Sequence, residues 1–186
     1  MSESQVDSAR DVVVFLKAQH EQIKALFVQV LATSGDERER AFVQLRRVLA
    51  VHETAEEEVV HPRARTEIDN GATIVDARLQ EEHEAKEALA ELEKLAVDSA
   101  EFDAKLRSLQ RDVLEHAEAE EQQEFARLEV ALDDEQLHRM RNAVKMAEAM
   151  APTRPHAGVE SAAANLLAGP FASMLDRARD AIRGKG

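Results

Sequence analysis

The chain has 186 residues, no Cys, Trp or Tyr, and 37 acidic against 24 basic side chains, for a formal net charge of −13. Without thiols there is no disulfide framework, no iron–sulfur cluster and no thiolate metal site, so any metal has to be held by nitrogen and oxygen. The negative charge repels nucleic acid and anionic membrane, and no stretch reaches the roughly 20 apolar residues of a membrane span. A soluble, cytoplasmic protein is therefore expected.

The length suits one domain with a sizeable core. Helix-favouring residues dominate, with only six Gly and four Pro, and their propensities sum to an all-α fold. The first helix is expected from about Ser8 to Ala32, with Val13, Leu16, His20, Ile23, Phe27 and Leu31 on one face at helical spacing. Thr33 to Asp36 reads as a turn in which Gly35 leaves the helical region and Asp36 caps the next helix. That second helix carries Phe42, Leu45, Leu49, His52, Glu56 and Val59 inward and should weaken near Pro62. Asn70-Gly71 is a turn dipeptide, with Thr73 as a cap for helix three. Helix three runs to about Val97 and offers two competing faces, one with Leu79, His83, Ala90 and Val97, the other with Leu89, Leu92 and Ala96. After Asp98-Ser99 a fourth helix places Phe102, Leu109, Val113, His116 and Glu120 on one stripe and continues to about Leu132. Asp133-Asp134 then cap a fifth, shorter helix through Leu137, Val144, Ala147 and Met150.

Residues 1–150 are thus expected to form an up-down-up-down four-helix bundle plus the short fifth helix. Residues 151–158, with Pro152 and Pro155, read as a linker, and 159–186 as a C-terminal helical segment interrupted by Gly169-Pro170. That segment holds more basic than acidic side chains, which suits docking on the acidic bundle of its own or a neighbouring chain and so a homo-oligomer.

Two segments carry chemistry: His52-Glu-Thr-Ala-Glu56 and His116-Ala-Glu-Ala-Glu120. Residues four apart on a helix are separated by only about 40° around its axis, so each segment presents an imidazole and a carboxylate side by side. The chain also repeats itself weakly. His20-Glu21 with Leu26 matches His83-Glu84 with Leu89, and each precedes one His-x-x-x-Glu segment. Two hairpins of this kind, facing each other about a pseudo-twofold axis, would assemble a dinuclear site. Burying Glu56 and Glu120 as bare charges would cost several kcal/mol each, and coordination to a cation removes that cost.

The ordered set His20, His52-x-x-x-Glu56, His83 and His116-x-x-x-Glu120 resembles the hemerythrin-like (HHE cation-binding) family over about residues 8 to 132. The resemblance implies a four-helix bundle around two iron ions in an oxo- or hydroxo-bridged di-iron centre, with the histidines as terminal ligands and Glu56 and Glu120 as bridges. The chain departs from the oxygen-carrying members. Those have a second His four residues after the one on helix three and an Asp five after the one on helix four, where this chain offers Glu87 and the Glu120 spacing. His61, before Pro62, is another source for the remaining ligand, but in a regular helix it lies on the face opposite His52 and needs a distortion to turn inward. His138 and His156 fall outside the repeat and are expected at the surface.

A reduced di-iron centre with an open position binds hydrogen peroxide, O2 or NO. Likeness to actinobacterial members with a C-terminal extension implies a catalase-like peroxide chemistry in oxidative-stress defence; the alternative is a non-enzymatic O2 or NO binder or sensor. Glu57, Glu87 and Glu121 are the candidate proton carriers.

Overall fold

The structure, a computed structural model, describes residues 11–150; the linker and C-terminal helical segment expected over 151–186 lie outside them. The described residues are all-α. Helix α1 spans Val12–Ala32, α2 Gly35–Ala55, α3 His61–Glu67, α4 Gly71–Leu92, α5 Ala100–Glu120, α6 Ala126–Ala131 and α7 Asp134–Met150. Two wide π-helical turns, Glu56–Val60 and Glu121–Phe125, join α2 to α3 and α5 to α6. The four arms of an up-down-up-down bundle are therefore α1, α2 to α3, α4, and α5 to α6. Helix α7 is a fifth element against α1 and α2.

The helix boundaries come from local chemistry. Asp11 caps α1 by accepting a hydrogen bond from the Val13 amide at 2.8 Å, and Ser99 accepts from the Phe102 amide at 3.1 Å. Asp133 accepts from the Gln136 amide at 2.8 Å while donating its own amide to Gln136 Oε1 at 2.9 Å, a reciprocal box that starts α7. Two expected caps are replaced. Ser34, not Asp36, precedes α2; Gly35 sits at φ +57 and donates its amide to Asp98 across the bundle end. Asn70, not Thr73, precedes α4, in the left-handed region at φ 59 that Asn tolerates. Pro62 does not end the second arm, because it falls in the first turn of α3, where a missing N–H is tolerated.

Apolar side chains pack in two layers. One contains Ile23, Phe27, Phe42, Leu45, Leu49, Leu89, Leu92, Phe102, Leu106 and Leu109. The other contains Leu16, Val59, Val60, Val75, Phe125 and Leu128, closed by Leu137, Met140 and Val144 of α7. His20 lies between Leu16 and Ile23, His52 and Glu56 between Leu49 and Val59, and His116 and Glu120 between Val113 and Phe125. The polar groups therefore form a belt across the middle of the core.

Gly71 fixes how closely α4 approaches α3: a Cβ there would lie 2.2 Å from the Ala64 carbonyl oxygen, a backbone atom that cannot swing aside. Gly71→Ala should destabilise the fold by about 1–3 kcal/mol despite the better helix propensity of Ala. Urea denaturation checks this; an unchanged or raised midpoint would contradict it.

Candidate metal centre

Two groups of donor atoms share a middle. His20, His52, Glu56 and Glu120 each place a ligand atom within 4.8 Å of the others, and so do Glu56, Glu82, His116 and Glu120. Glu56 and Glu120 belong to both groups, and both are fully buried. The two oxygens of Glu120 face different halves, Oε2 lying 3.4 Å from His20 Nε2 and Oε1 3.4 Å from His116 Nε2. Glu56 Oε2 lies 3.3 Å from His52 Nε2. A third group, His61 with Glu120 and Glu124, adjoins the second half.

The imidazoles are oriented from outside. His20 Nδ1 meets Glu121 at 2.8 Å, His116 Nδ1 meets Glu81 at 2.8 Å and His61 Nδ1 meets Glu124 at 2.9 Å. His52 Nδ1 instead meets the Gln19 amide oxygen at 2.9 Å. Occupying Nδ1 turns Nε2 of His20, His52 and His116 toward the centre, the arrangement in which an outer oxygen sets the ring and raises its basicity as a ligand. His61 Nε2 lies 2.6 Å from Glu82 Oε1.

The π-helical turns make this geometry. A turn closed by i→i+5 bonds holds one extra residue, which rotates the succeeding residues by about 100° relative to a regular helix. The His61 amide donates to the Glu56 carbonyl in this way. His61 is thereby brought from the opposite face into the core, where it is 2 % exposed. The second turn sets Phe125 against the His20 ring, stacked at 5.7 Å, and leaves Glu124 fully buried.

The donors fit a cation. Both oxygens of Glu56 and of Glu120, one oxygen each of Glu82 and Glu124, and Nε2 of His20 and His116 are buried with no hydrogen-bond partner. Unpaired polar atoms in an apolar core cost a few kcal/mol each, and this many in one place point to ligation. An imidazole and carboxylate set suits iron, manganese or zinc. Within the metal-free protein the charges sort themselves. Burial pushes the Glu56 carboxyl well above its usual range, reinforced by Glu120. Glu120 goes well below, because His116 and His20 overcome its burial. Burial, helped by His20, pushes His52 down to about 3. His116 is raised to about 11, since Glu120 outweighs its burial, and His61 is raised by Glu124 and Glu82 against its burial.

Of the residues the sequence singles out, the structure brings together His20, His52, Glu56, His116, Glu120 and His61. It does not bring in His83 or Glu87. His83 has a side chain 45 % exposed, 3.6 Å from the exposed Glu87. Helix α4 buries Val75, Arg78, Glu82, Leu89 and Leu92, the stripe through Leu89 and Leu92 rather than the one through Leu79 and His83. Glu82 thus takes the inward place. The repeat of His20-Glu21 in His83-Glu84 is off by one residue; the spacing of seven from Val75 to Glu82 to Leu89 is the signal that finds the buried face. Glu124 also escapes the sequence reading, although it lies one turn beyond Glu120. Of the candidate proton carriers, Glu121 binds His20 and Glu57 pairs with Lys86. His138 is half-buried on α7 with Asn142 at 3.2 Å, and His156 lies outside the described residues.

Residues 11–128 match the model of the hemerythrin HHE cation-binding domain. The chain belongs to that family. HHE membership together with the His/Glu groups makes this a metal-binding protein. A hemerythrin HHE cation-binding domain-containing protein from Mycobacterium kansasii has the same fold, with a TM-score of 0.66 and 18% identity over 90% of this chain and 98% of that one. The chain is also similar to a DNA nickase of Nostoc sp. strain PCC 7120, 27% identical over 148 residues, which is 79% of this chain and 41% of that protein. It spans less than half the length of that relative.

The HHE bundle opens to solvent through a cleft between α4 and α5, about 290 Å³ in volume, space for roughly ten water molecules. Its floor is His20, Ile23, Leu49 and His52, its walls include Ala85, Ala88, Leu109 and Val113, and its mouth carries Glu84, Asp112 and Glu115. Glu53 also lines it; burial pushes its carboxyl up to about 8, against the pull of Lys86 3.7 Å away.

The placement of α4 predicts a contrast. Glu82→Ala should lower metal affinity at least about tenfold, whereas His83→Ala should leave it within about twofold; metal titration against a chromophoric chelator measures both, and the reverse order would refute the assignment. The protonation pattern predicts a sign. His116, raised to about 11, holds a proton near pH 7 that ligation displaces, and the upward shifts of His61 and Glu56 act in the same direction, so affinity should rise with pH through the neutral range. Calorimetry at pH 6, 7 and 8 in buffers of different ionisation enthalpy should show proton release on binding.

Proposed function

We propose that the chain is a di-iron hemerythrin-like protein that consumes hydrogen peroxide in the cytoplasm, in the manner of a catalase. The observation that carries this reading is the sharing of Glu56 and Glu120 between two donor groups, with the two Glu120 oxygens facing different histidines. Bound there, two irons would supply two redox equivalents and Lewis acidity. His20 and His52 would hold one ion, His116 and Glu82 the other, with His61 and Glu124 beside it and the two shared carboxylates between. This uses the unpaired atoms of Glu56, Glu82, Glu120, Glu124, His20 and His116.

The protein's own groups favour small neutral substrates. The acidic mouth formed by Glu84, Asp112 and Glu115 disfavours anions, while hydrogen peroxide is uncharged near neutral pH. Glu53, raised to about 8 by burial, can hold a proton on the cleft wall, beside Lys86, whose ammonium lies against Glu53, Glu57 and Glu82. Turnover of peroxide needs such a proton reservoir beside the site. The apolar walls, Ile23, Leu49, Leu109 and Val113, support a second reading, reversible binding of O2 or NO in a dry pocket. The net charge of −13 speaks against transferring the nickase activity of the Nostoc relative to this chain.

Iron-loaded protein given hydrogen peroxide should evolve O2 steadily over many turnovers, read with an oxygen electrode. One reversible spectral change without turnover would remove the catalytic reading and leave the binding one.

A further inference from the structure

Among the described residues, the centre has three buried imidazoles, His20, His52 and His61, and the partly buried His116; of these, His52 alone lacks a carboxylate on Nδ1. For His20, His116 and His61, the Nδ1 partner is Glu121, Glu81 or Glu124. An ionised carboxylate only accepts, so it keeps a proton on Nδ1 and makes Nε2 the nitrogen that a metal ion can take. An amide is different. Gln19 can present its oxygen to His52, which demands Nδ1–H, or rotate and present its NH2, which demands a bare Nδ1 and sends the proton to Nε2. The second arrangement would leave His52 with no lone pair facing Glu56 and Glu120.

The choice is made one residue further out. Gln19 Nε2 donates to Glu148 Oε1, a half-buried carboxylate on α7. Burial raises the Glu148 carboxyl against the pull of Gln19 and Lys145; in its ionised form it accepts and does not donate, so the amide NH2 faces it, the amide oxygen faces His52, and the imidazole proton sits on Nδ1. We infer that Glu148 is a positioning residue for the metal centre: through Gln19 it locks His52 in the tautomer that can ligate. Helix α7, which contributes no donor to the site, is thereby part of it. The helix is anchored for this role by the Asp133–Gln136 box and by Leu137, Met140, Val144 and Ala147 in the core.

The inference rests on His52 as a ligand, and its test separates the two. The full chain, labelled with 15N-histidine and stripped of metal with chelator, reports the tautomer of each ring through long-range proton–nitrogen spectra. In the wild type His52 should be protonated at Nδ1. Glu148→Gln keeps the shape of the side chain but offers Gln19 either a donor or an acceptor, so His52 should become a mixture of tautomers. The metal affinity of one site should fall about 10–100-fold, while circular dichroism stays that of the folded bundle. Adding Gln19→Glu to Glu148→Ala puts a carboxylate directly on Nδ1, as at the other three histidines, and should restore both the tautomer and the affinity. Nδ1-protonated His52 in Glu148→Gln, with affinity within about twofold of the wild type, would overturn the proposal. So would failure of Gln19→Glu to rescue Glu148→Ala. If the wild type binds no metal, the metal reading falls, yet the tautomer signal still decides what Glu148 does.

Discussion

A helical bundle of this size has one core, and this chain puts four carboxylates through the middle of it. Glu56, Glu82, Glu120 and Glu124 are each at most 1 % exposed. Four bare charges there would exceed the roughly 5–15 kcal/mol by which a domain is stable. Most other features of the fold are consequences of that constraint. The apolar layers above and below keep water out, the imidazoles face the carboxylates, and two divalent ions would cancel the charge. Without metal, the same cluster relieves its charge by holding protons, with the Glu56 carboxyl raised by burial and by Glu120, and His116 raised to about 11 by Glu120 against its burial. A site that must hold protons when it does not hold metal has its metal affinity tied to pH from the outset.

The bundle is legible in the sequence because its signals are periodic. Leu45, Leu49, His52 and Glu56 repeat at helical spacing and all turn inward, and the same holds for Leu109, Val113 and Glu120. Two kinds of information are hidden. Helix α4 is studded with charges on every side, so its inward stripe is underdetermined, and the attractive match of His83 to His20 points to the wrong face by one residue. The π-helical turns carry no propensity signal: Glu-Glu-Glu-Val-Val and Glu-Gln-Gln-Glu-Phe look like ordinary helix. What selects a wide turn there is tertiary, since it brings His61 and Phe125 inward. Sequence reasoning can say that His61 needs a distortion, but only the packing supplies it.

The duplication explains why both turns exist. The first begins on the closing Glu of its His-x-x-x-Glu segment, Glu56, and the second one residue after the closing Glu120, so the two hairpins share a backbone device as well as a motif. They have nonetheless diverged. The first hairpin gives two imidazoles, His20 and His52, whereas the second gives one, His116, with Glu82 in the place equivalent to His20. The added histidine, His61, comes from the first hairpin but sits with Glu82 and Glu124 on the second side.

This asymmetry bears on chemistry. One half of the site offers mostly nitrogen, the other more oxygen, and carboxylate ligands favour the higher oxidation state of iron more than neutral imidazoles do. The surroundings accentuate the difference. On the second side Lys86 lies against Glu82 and Arg78 holds Glu81, the partner of His116. On the first side His52 is backed by a neutral amide that a distant carboxylate keeps in register. Two ions bound in such a frame would not be equivalent, and the cleft reaches His20, His52 and His116 together. A small molecule entering between α4 and α5 would therefore reach the nitrogen-rich and the oxygen-rich halves of the donor set together, with His20 and His52 on one side and His116 and Glu82 on the other.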